Sequence, residues 1–138
     1  MAGTVIRTTL GTILDYALNR DTPLALTIRL YTNDYTPTTT STVGNFTEAA
    51  GFGYTEVLLG ESTGDWTIDT STNIASATHT EITWTFTGAL GNVYGYYIIQ
   101  EDSPEPLLGA ERFSNGPYNI QNDGDEIKVT PKLTLRNL

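Results

Sequence analysis

The stretch that decides the fold is Ile82–Thr87, which reads ITWTFT. Ile82, Trp84 and Phe86 alternate with three threonines, so apolar side chains fall on one side of an extended chain and hydroxyl groups on the other. This alternation predicts a β-strand with one face in the core and one face in solvent.

The following run, Val93–Gln100, is apolar or aromatic on both sides, which predicts a central strand that is covered on both faces. Gly95 inside the run indicates a bulge or a close approach of another backbone segment. Tyr94 and Tyr96 are expected on one face of this strand and Tyr97 on the other. One of these two faces is a candidate interface patch, because tyrosine covers area at small entropic cost.

Further strand patterns lie on both sides of these two runs. Leu24–Leu30 alternates after Pro23, which predicts a strand with one buried face. Asp123-Gly124 predicts a hairpin turn, and Pro131 indicates a sheet edge or a bulge before the last strand. The other runs with a strand pattern are Thr55–Leu59, Trp66–Asp69, Ile74–His79, Leu107–Phe113, Ile127–Thr130 and Lys132–Arg136.

About eight strands after one leading helix predict an all-β fold, a β-sandwich or jelly-roll-like domain. A chain of 138 residues has the size of a single domain. We assign residues 23–138 to this domain and residues 1–22 to an N-terminal arm, because the arm holds too few apolar residues for a core of its own.

The arm carries the one clear helical pattern in the sequence. Its apolar residues Leu10, Ile13, Leu14, Ala17 and Leu18 are spaced as on one side of an amphipathic helix of about three turns. A helix this short needs a partner surface, which is either its own sheet or another molecule. These five residues are the candidate partner-binding residues.

The composition excludes several classes of function. The chain has no cysteine, which excludes disulfides, thiolate zinc sites and cysteine nucleophiles. Its 16 acidic and 7 basic residues give a net charge of −9, which repels phosphate backbones and argues against a nucleic-acid partner. No run approaches the roughly 20 apolar residues of a membrane span, and the first residues lack a secretory pattern, so we expect synthesis in the cytoplasm and no membrane partner.

The candidate catalytic and metal-binding residues each have a simpler structural explanation. His79 is the sole histidine, and Ser76 is expected on the opposite sheet face, so no nucleophilic triad is predicted. Asn122–Glu126 offers oxygen ligands around a glycine, as calcium loops do, but it lacks the EF-hand spacing, and an acidic hairpin tip is the simpler reading. Three carboxylates that flank strands are solvated strand ends more readily than a glycosidase pair: Glu81, Glu101 and Glu111. The sequence predicts no enzyme, no cofactor and no metal.

Exposed aromatic residues would favour a different class, a carbohydrate-binding module. Trp84 alternates in phase with Ile82 and Phe86 and is expected in the core. Trp66 and the tyrosines of Val93–Gln100 remain candidates for stacking on sugar rings, with core packing the simpler reading for each.

Six stretches carry a resemblance to a known group of proteins: Leu30–Pro37, Asn45–Ala49, Ile82–Gly88, Val93–Ile98, Leu108–Phe113 and Ile127–Leu135. Over roughly residues 24 to 135 the chain resembles small β-sandwich virion proteins of tailed phages, and capsid decoration (cement) proteins among them most closely. The resemblance implies a homotrimer on the outer capsid surface, with the major capsid protein as partner, an N-terminal arm reaching along neighbouring capsid subunits, no cofactor, and a place in the virion. A tail or baseplate adaptor is the alternative within the same class.

Overall fold

The computed structural model describes residues 4–5, 18, 25–60, 64–101 and 106–136. Over these residues the chain is all-β, with antiparallel sheets packed together as in a β-sandwich, which confirms the predicted fold class. The predicted helix of the arm lies outside the described residues. None of the described helical segments is long and apolar enough to cross a membrane.

Twelve strands and one short 3-10 helix, Val43–Asn45, make up the described structure. The strands are β1 (Thr4–Val5), β2 (Leu26–Tyr31), β3 (Val57–Leu59), β4 (Trp66–Asp69), β5 (Ile74–His79), β6 (Ile82–Thr87), β7 (Gly91–Val93), β8 (Gly95–Gln100), β9 (Leu107–Arg112), β10 (Tyr118–Ile120), β11 (Asp123–Val129) and β12 (Lys132–Arg136).

The largest sheet has the strand order β1-β9-β8-β2-β3. Its central strand, β8, is buried at all six positions, which confirms that this run is covered on both faces. β2 was predicted to bury one face, but Thr27, Ile28, Leu30 and Tyr31 are all buried. Buried and exposed residues do not alternate along β2 because both of its faces are covered.

The inner face of this sheet packs against a second layer. That layer consists of the ribbons β6–β11 and β7–β10 and the sheet β12-β5-β4. Ile82, Trp84 and Phe86 are buried in the shared core while the threonines between them are exposed, as the alternation predicts. Trp84 also donates its indole N–H to the Thr55 carbonyl oxygen at 2.9 Å, so its one polar atom is satisfied inside the core.

The outer face of the sheet is covered by the long connection after β2. Phe46 folds back and stacks on Tyr97, with ring centroids 4.7 Å apart and planes within 14°. Tyr31 meets the edge of the same Phe46 ring at 5.0 Å. These rings belong to a second apolar cluster, which includes Ile99, Leu107 and Ala110.

Tyr94 and Tyr96 do not share a face, in contrast to the prediction. Tyr94 lies between β7 and β8 and packs on the outer cluster, whereas Tyr96 is part of the inner core. The alternation fails because β7 and β8 are separate strands: β7 pairs with β10, and β8 pairs with β2 and β9.

The hairpin predicted at Asp123-Gly124 is also wrong. β10 pairs with β7 and β11 pairs with β6, so the chain changes sheets at this point instead of returning on itself. Gly124 has φ +92° and lies where the β11–β6 register shifts between Asp123 and Glu126. The glycine therefore serves a β-bulge, which needs the same left-handed conformation as a hairpin turn.

The two terminal strands close one side of the sandwich. β1 pairs with β9, β12 pairs with β5 at the edge of its sheet, and β1 and β12 are in contact. They meet over Gly109, where an added Cβ would lie 3.0 Å from Leu133 Cδ2 and 3.1 Å from the Thr4 carbonyl oxygen. Pro131, just before β12, confirms the predicted edge position.

Replacing Gly95 with alanine should destabilise the fold. A Cβ at Gly95 would collide with the Glu111 backbone carbonyl oxygen and would lie 2.6 Å from the hydroxyl oxygen of Tyr31. Tyr31 is fully buried, and its hydroxyl is held by a hydrogen bond to the Tyr35 carbonyl oxygen, so neither group can move aside easily. We expect Gly95→Ala to lower the free energy of unfolding by about 1–3 kcal/mol, measured by urea titration. Gly44→Ala is the control, because its Cβ would meet only Thr42 Oγ1 at 3.7 Å. Equal stability of the two variants would contradict the close approach.

Candidate functional site

The predicted partner-binding stripe is described at one position. Leu10, Ile13, Leu14 and Ala17 lie outside the described residues, while Leu18 is in a turn with 66% of its surface exposed. Residues 6–24 join β1 to β2, and both strands belong to the five-stranded sheet with β9 and β8 between them. The segment predicted as an arm is therefore attached to the domain at both ends.

Both ring nitrogens of His79 make hydrogen bonds within the chain. Its Nε2 accepts the Gly60 backbone N–H at 3.2 Å, and its Nδ1 lies 2.8 Å from the Thr80 carbonyl oxygen, which makes Nδ1 the protonated nitrogen. The Trp66 ring meets the imidazole edge-on at 4.9 Å and donates its Nε1–H to the Gly60 carbonyl oxygen at 2.7 Å. The Nε2 contact joins the residue after β3 to β5, whereas the Nδ1 contact is made to the next residue in the chain. Both ring nitrogens are thus engaged within the fold.

These contacts also bear on the prediction that Trp66 is a candidate for stacking on a sugar ring. The indole is half-buried against the inner core, and its N–H is used within the chain. The ring packs on His79, its cross-strand neighbour in the same sheet, while its N–H reaches Gly60, the residue after β3 in the five-stranded sheet.

The acidic turn at Asn122–Glu126 is organised from within by Asp125. One carboxylate oxygen of Asp125 accepts the backbone N–H groups of Gln121 and Asn122, both at 2.9 Å. These two hydrogen bonds hold the pKa of the Asp125 carboxyl below its usual range. Within the described part of the chain, no three acidic, histidine or cysteine side chains are grouped to hold a metal ion. The Asp125 carboxylate therefore stabilises the turn by accepting hydrogen bonds from its backbone amides.

The three carboxylates that flank strands have different environments. Glu101 accepts the Thr27 hydroxyl at 2.6 Å, and Glu111 accepts the Tyr96 hydroxyl at 2.8 Å. Glu81 is exposed. The structure does not bring these three acids together.

A surface groove lies between β9 and β11. It is an open cavity of about 250 Å³, and we call it the β9–β11 groove. The residues that line it are Tyr96, Glu111, Phe113, Ser114, Tyr118, Lys128, Val129 and Thr130.

An aromatic pair forms one wall of the β9–β11 groove. The Phe113 and Tyr118 rings have centroids 4.9 Å apart and are tilted by 42°. Tyr118 remains 40% exposed, so part of its ring faces solvent. Phe113 is closer to the core and lies 6.4 Å from the Tyr96 ring. This wall therefore presents the Tyr118 ring to solvent, with the Phe113 ring packed against it.

The polar wall is held by Tyr96. Its hydroxyl donates to Glu111 Oε2 and accepts the backbone N–H of Lys132. Burial, with Glu111 beside it, raises the pKa of the Tyr96 hydroxyl, which stays protonated and keeps the carboxylate in place. Because Tyr96 and Glu111 are directly paired across β8 and β9, the register of the two strands fixes this arrangement.

A second cavity of about 350 Å³ continues the groove along β11. It shares Tyr118 and Lys128 with the first and adds Glu126 and Ile127. The Lys128 ammonium lies 3.7 Å from Glu126 Oε2, and both side chains are about half exposed. Tyr118 and Lys128 line both cavities, which therefore adjoin each other.

The sequence does not reveal this groove. Phe113 and Tyr118 flank the turn at Ser114–Pro117, and their proximity depends on that turn and on the pairing of β10 with β7. The readable signal is two aromatic residues on either side of a Gly-Pro turn, which by itself is too common to mark a site.

Comparison of the chain with protein-family models, with curated proteins and with solved structures finds no match. Leu18, on the segment between β1 and β2, is one of six large hydrophobic residues that the described surface exposes; the others are Phe52, Leu58, Ile68, Tyr118 and Leu135. The β9–β11 groove combines aromatic rings with hydrogen-bonding groups.

Removing the charge of Asp125 should change the acid stability of the protein. Because the pKa of this carboxyl is lowered in the folded state, its contribution to stability is present above the unfolded value of about 4 and is lost as the pH falls through the folded value. We expect Asp125→Asn to unfold at lower urea concentration at pH 7 and to lose less stability than the wild type on acidification below about pH 4. Asp123→Asn is the matched control, because it removes an equal charge from the same turn and leaves the hydrogen bonds of the Gln121 and Asn122 amides in place. An unchanged profile for Asp125→Asn would show that the turn does not depend on this carboxylate.

Proposed function

We propose that the protein is a non-catalytic structural component of a tailed-phage virion. In this proposal it decorates the outer capsid surface as a homotrimer and binds the major capsid protein through the leading segment, residues 1–22. The function rests on the resemblance of residues 24–135 to capsid decoration proteins and on the chemistry of the surfaces described above.

The observation that carries the proposal is the exposure of Leu18. It is the described member of the predicted apolar stripe, and two-thirds of its surface is accessible to a partner. Burial of a leucine side chain contributes about 2 kcal/mol, so a few such contacts per copy suffice when several copies bind together.

The attachment of the leading segment supports its use as a contact surface. β1 and β2 lie in one sheet, on either side of Leu18 in the chain. A contact on a connection that is closed at both ends loses less conformational entropy on binding than the same contact on a free arm.

The arrangement of the polar residues supports a role without catalysis. His79 uses both ring nitrogens within the fold, and the Asp125 carboxylate accepts two backbone amides. The exposed threonines of β6 and the net charge of −9 suit a surface that must stay soluble at high local concentration.

A charge at Leu18 should abolish capsid binding in this proposal. Leu18→Asp places a carboxylate in an apolar contact while leaving the folded chain intact, since the residue is exposed. We expect at least about a tenfold loss of affinity, which corresponds to 1.4 kcal/mol, in co-sedimentation with shells of the proposed partner, a tailed-phage major capsid protein. Ile68→Asp is the matched control, because Ile68 is 65% exposed on β4, in a different sheet from β1 and β2.

Two results would contradict the proposal: wild-type protein that does not sediment with the shells, or equal binding by Leu18→Asp. Immunogold labelling of purified particles tests the location separately. Label on the tail would replace the capsid assignment with the adaptor alternative, and sedimentation equilibrium of the bound and free protein tests the trimer.

A further inference from the structure

We propose that the β9–β11 groove is a binding site for a short, uncharged oligosaccharide that lies along β11. This inference does not depend on a virion location. It rests on the aromatic wall and the polar wall of the groove and on the second cavity that adjoins it along β11.

The aromatic wall suits the face of a pyranose ring. Tyr118 presents an accessible ring, and Phe113 supports it from behind at 4.9 Å. The C–H face of a sugar can pack flat on such a ring, as apolar groups do on aromatic surfaces, while the sugar hydroxyls stay at the rim. An exposed ring with fixed support loses little side-chain entropy when it binds.

The polar wall supplies hydrogen-bonding groups at the rim of the same ring. Tyr96 occupies Glu111 Oε2, which leaves Glu111 Oε1 as an acceptor for a ligand hydroxyl. Lys128 and Ser114 add a donor and a hydroxyl group from the other sides of the groove. A small number of fixed polar groups beside an apolar surface is the usual composition of a ligand site.

The shape argues for more than one sugar ring. Each cavity is smaller than, or at the low end of, the roughly 300–1,000 Å³ of drug-sized pockets. The two adjoin each other and share Tyr118 and Lys128. One ring in each cavity makes a disaccharide the smallest ligand that contacts both.

The charges argue for an uncharged ligand. Glu111 and Glu126 flank the groove against the single ammonium of Lys128, and the chain carries a net charge of −9, which disfavours anions. The Phe113 and Tyr118 rings are in mutual contact and form an open wall. They do not surround a space in which a quaternary ammonium group could be held on several sides.

The experiment is titration of the full-length protein with neutral linear oligosaccharides of one to six rings. Hexose chains and N-acetylated amino-sugar chains are run as separate arms, with choline as a cationic probe. We expect saturable binding of at least one saccharide series with a Kd of about 1 mM or tighter, and tighter binding of the disaccharide than of the monosaccharide.

Tyr118→Ala should weaken this binding by at least about tenfold, and Glu111→Gln should weaken it less. Phe52→Ala is the matched control, since Phe52 is an aromatic residue of similar exposure, 48%, beside Gly88 and outside the groove. Lys128→Ala, at an exposed position on β11, gives a second groove variant should Tyr118→Ala fail to fold. Urea titration of each variant separates loss of binding from loss of folding.

Three results would overturn the proposal: no saccharide bound at 1 mM or tighter, equal loss of binding in Phe52→Ala, or binding of choline in preference to every saccharide. Failure of the Leu18 experiment would leave this one unaffected, because Leu18 is not part of the groove.

Discussion

The structure depends on covering both faces of β8. Every residue of this strand is buried, so its sheet cannot be stable with one side in water. On the inner side the cover is the second layer, led by Trp84 and Phe86. On the outer side the described cover is the connection after β2, with Phe46 stacked on Tyr97. The absence of a side chain at Gly95 lets the Tyr31 hydroxyl and the β9 backbone approach β8 at this point. The long polar loop after β2 is thus part of the fold, because its aromatic residues exclude water from the central strand.

This packing also decides where binding surfaces can arise. The apolar side chains of β6 and β11 are buried in the inner core, and the β9–β11 groove lies at one margin of it, where Glu111 and Phe113 are found. The register between β8 and β9 sets Tyr96 opposite Glu111, so the polar wall of the groove is as rigid as the sheet itself. Leu18 lies on the connection between β1 and β2, a separate part of the surface. The apolar contact and the polar groove can therefore change independently during evolution.

Local alternation predicted the strands well where each strand had a single partner layer, as for Ile82–Thr87. It failed where pairing between distant segments overrides the local pattern. Tyr94 and Tyr96 face different clusters because β7 ends before β8 begins, and that break follows from the pairing of β7 with β10. Gly124 supplies the positive φ expected of a hairpin, yet a bulge in β11 uses it, since both features need the same backbone conformation. The groove was out of reach for a related reason: Tyr118 reaches Phe113 only through a strand pairing that short-range periodicity does not contain.

The meeting of β1 and β12 over Gly109 has a consequence for how the molecule opens. Terminal strands are ordinarily the first to fray. Here β1 and β12 are in contact with each other, although they belong to different sheets. Detaching β12 removes Leu133 from above β9 and leaves β1 with only two paired residues to retain it. Both ends of the fold should consequently come loose in one cooperative event. Their amide hydrogens would then exchange with solvent at a common rate and not in sequence from the chain ends inward.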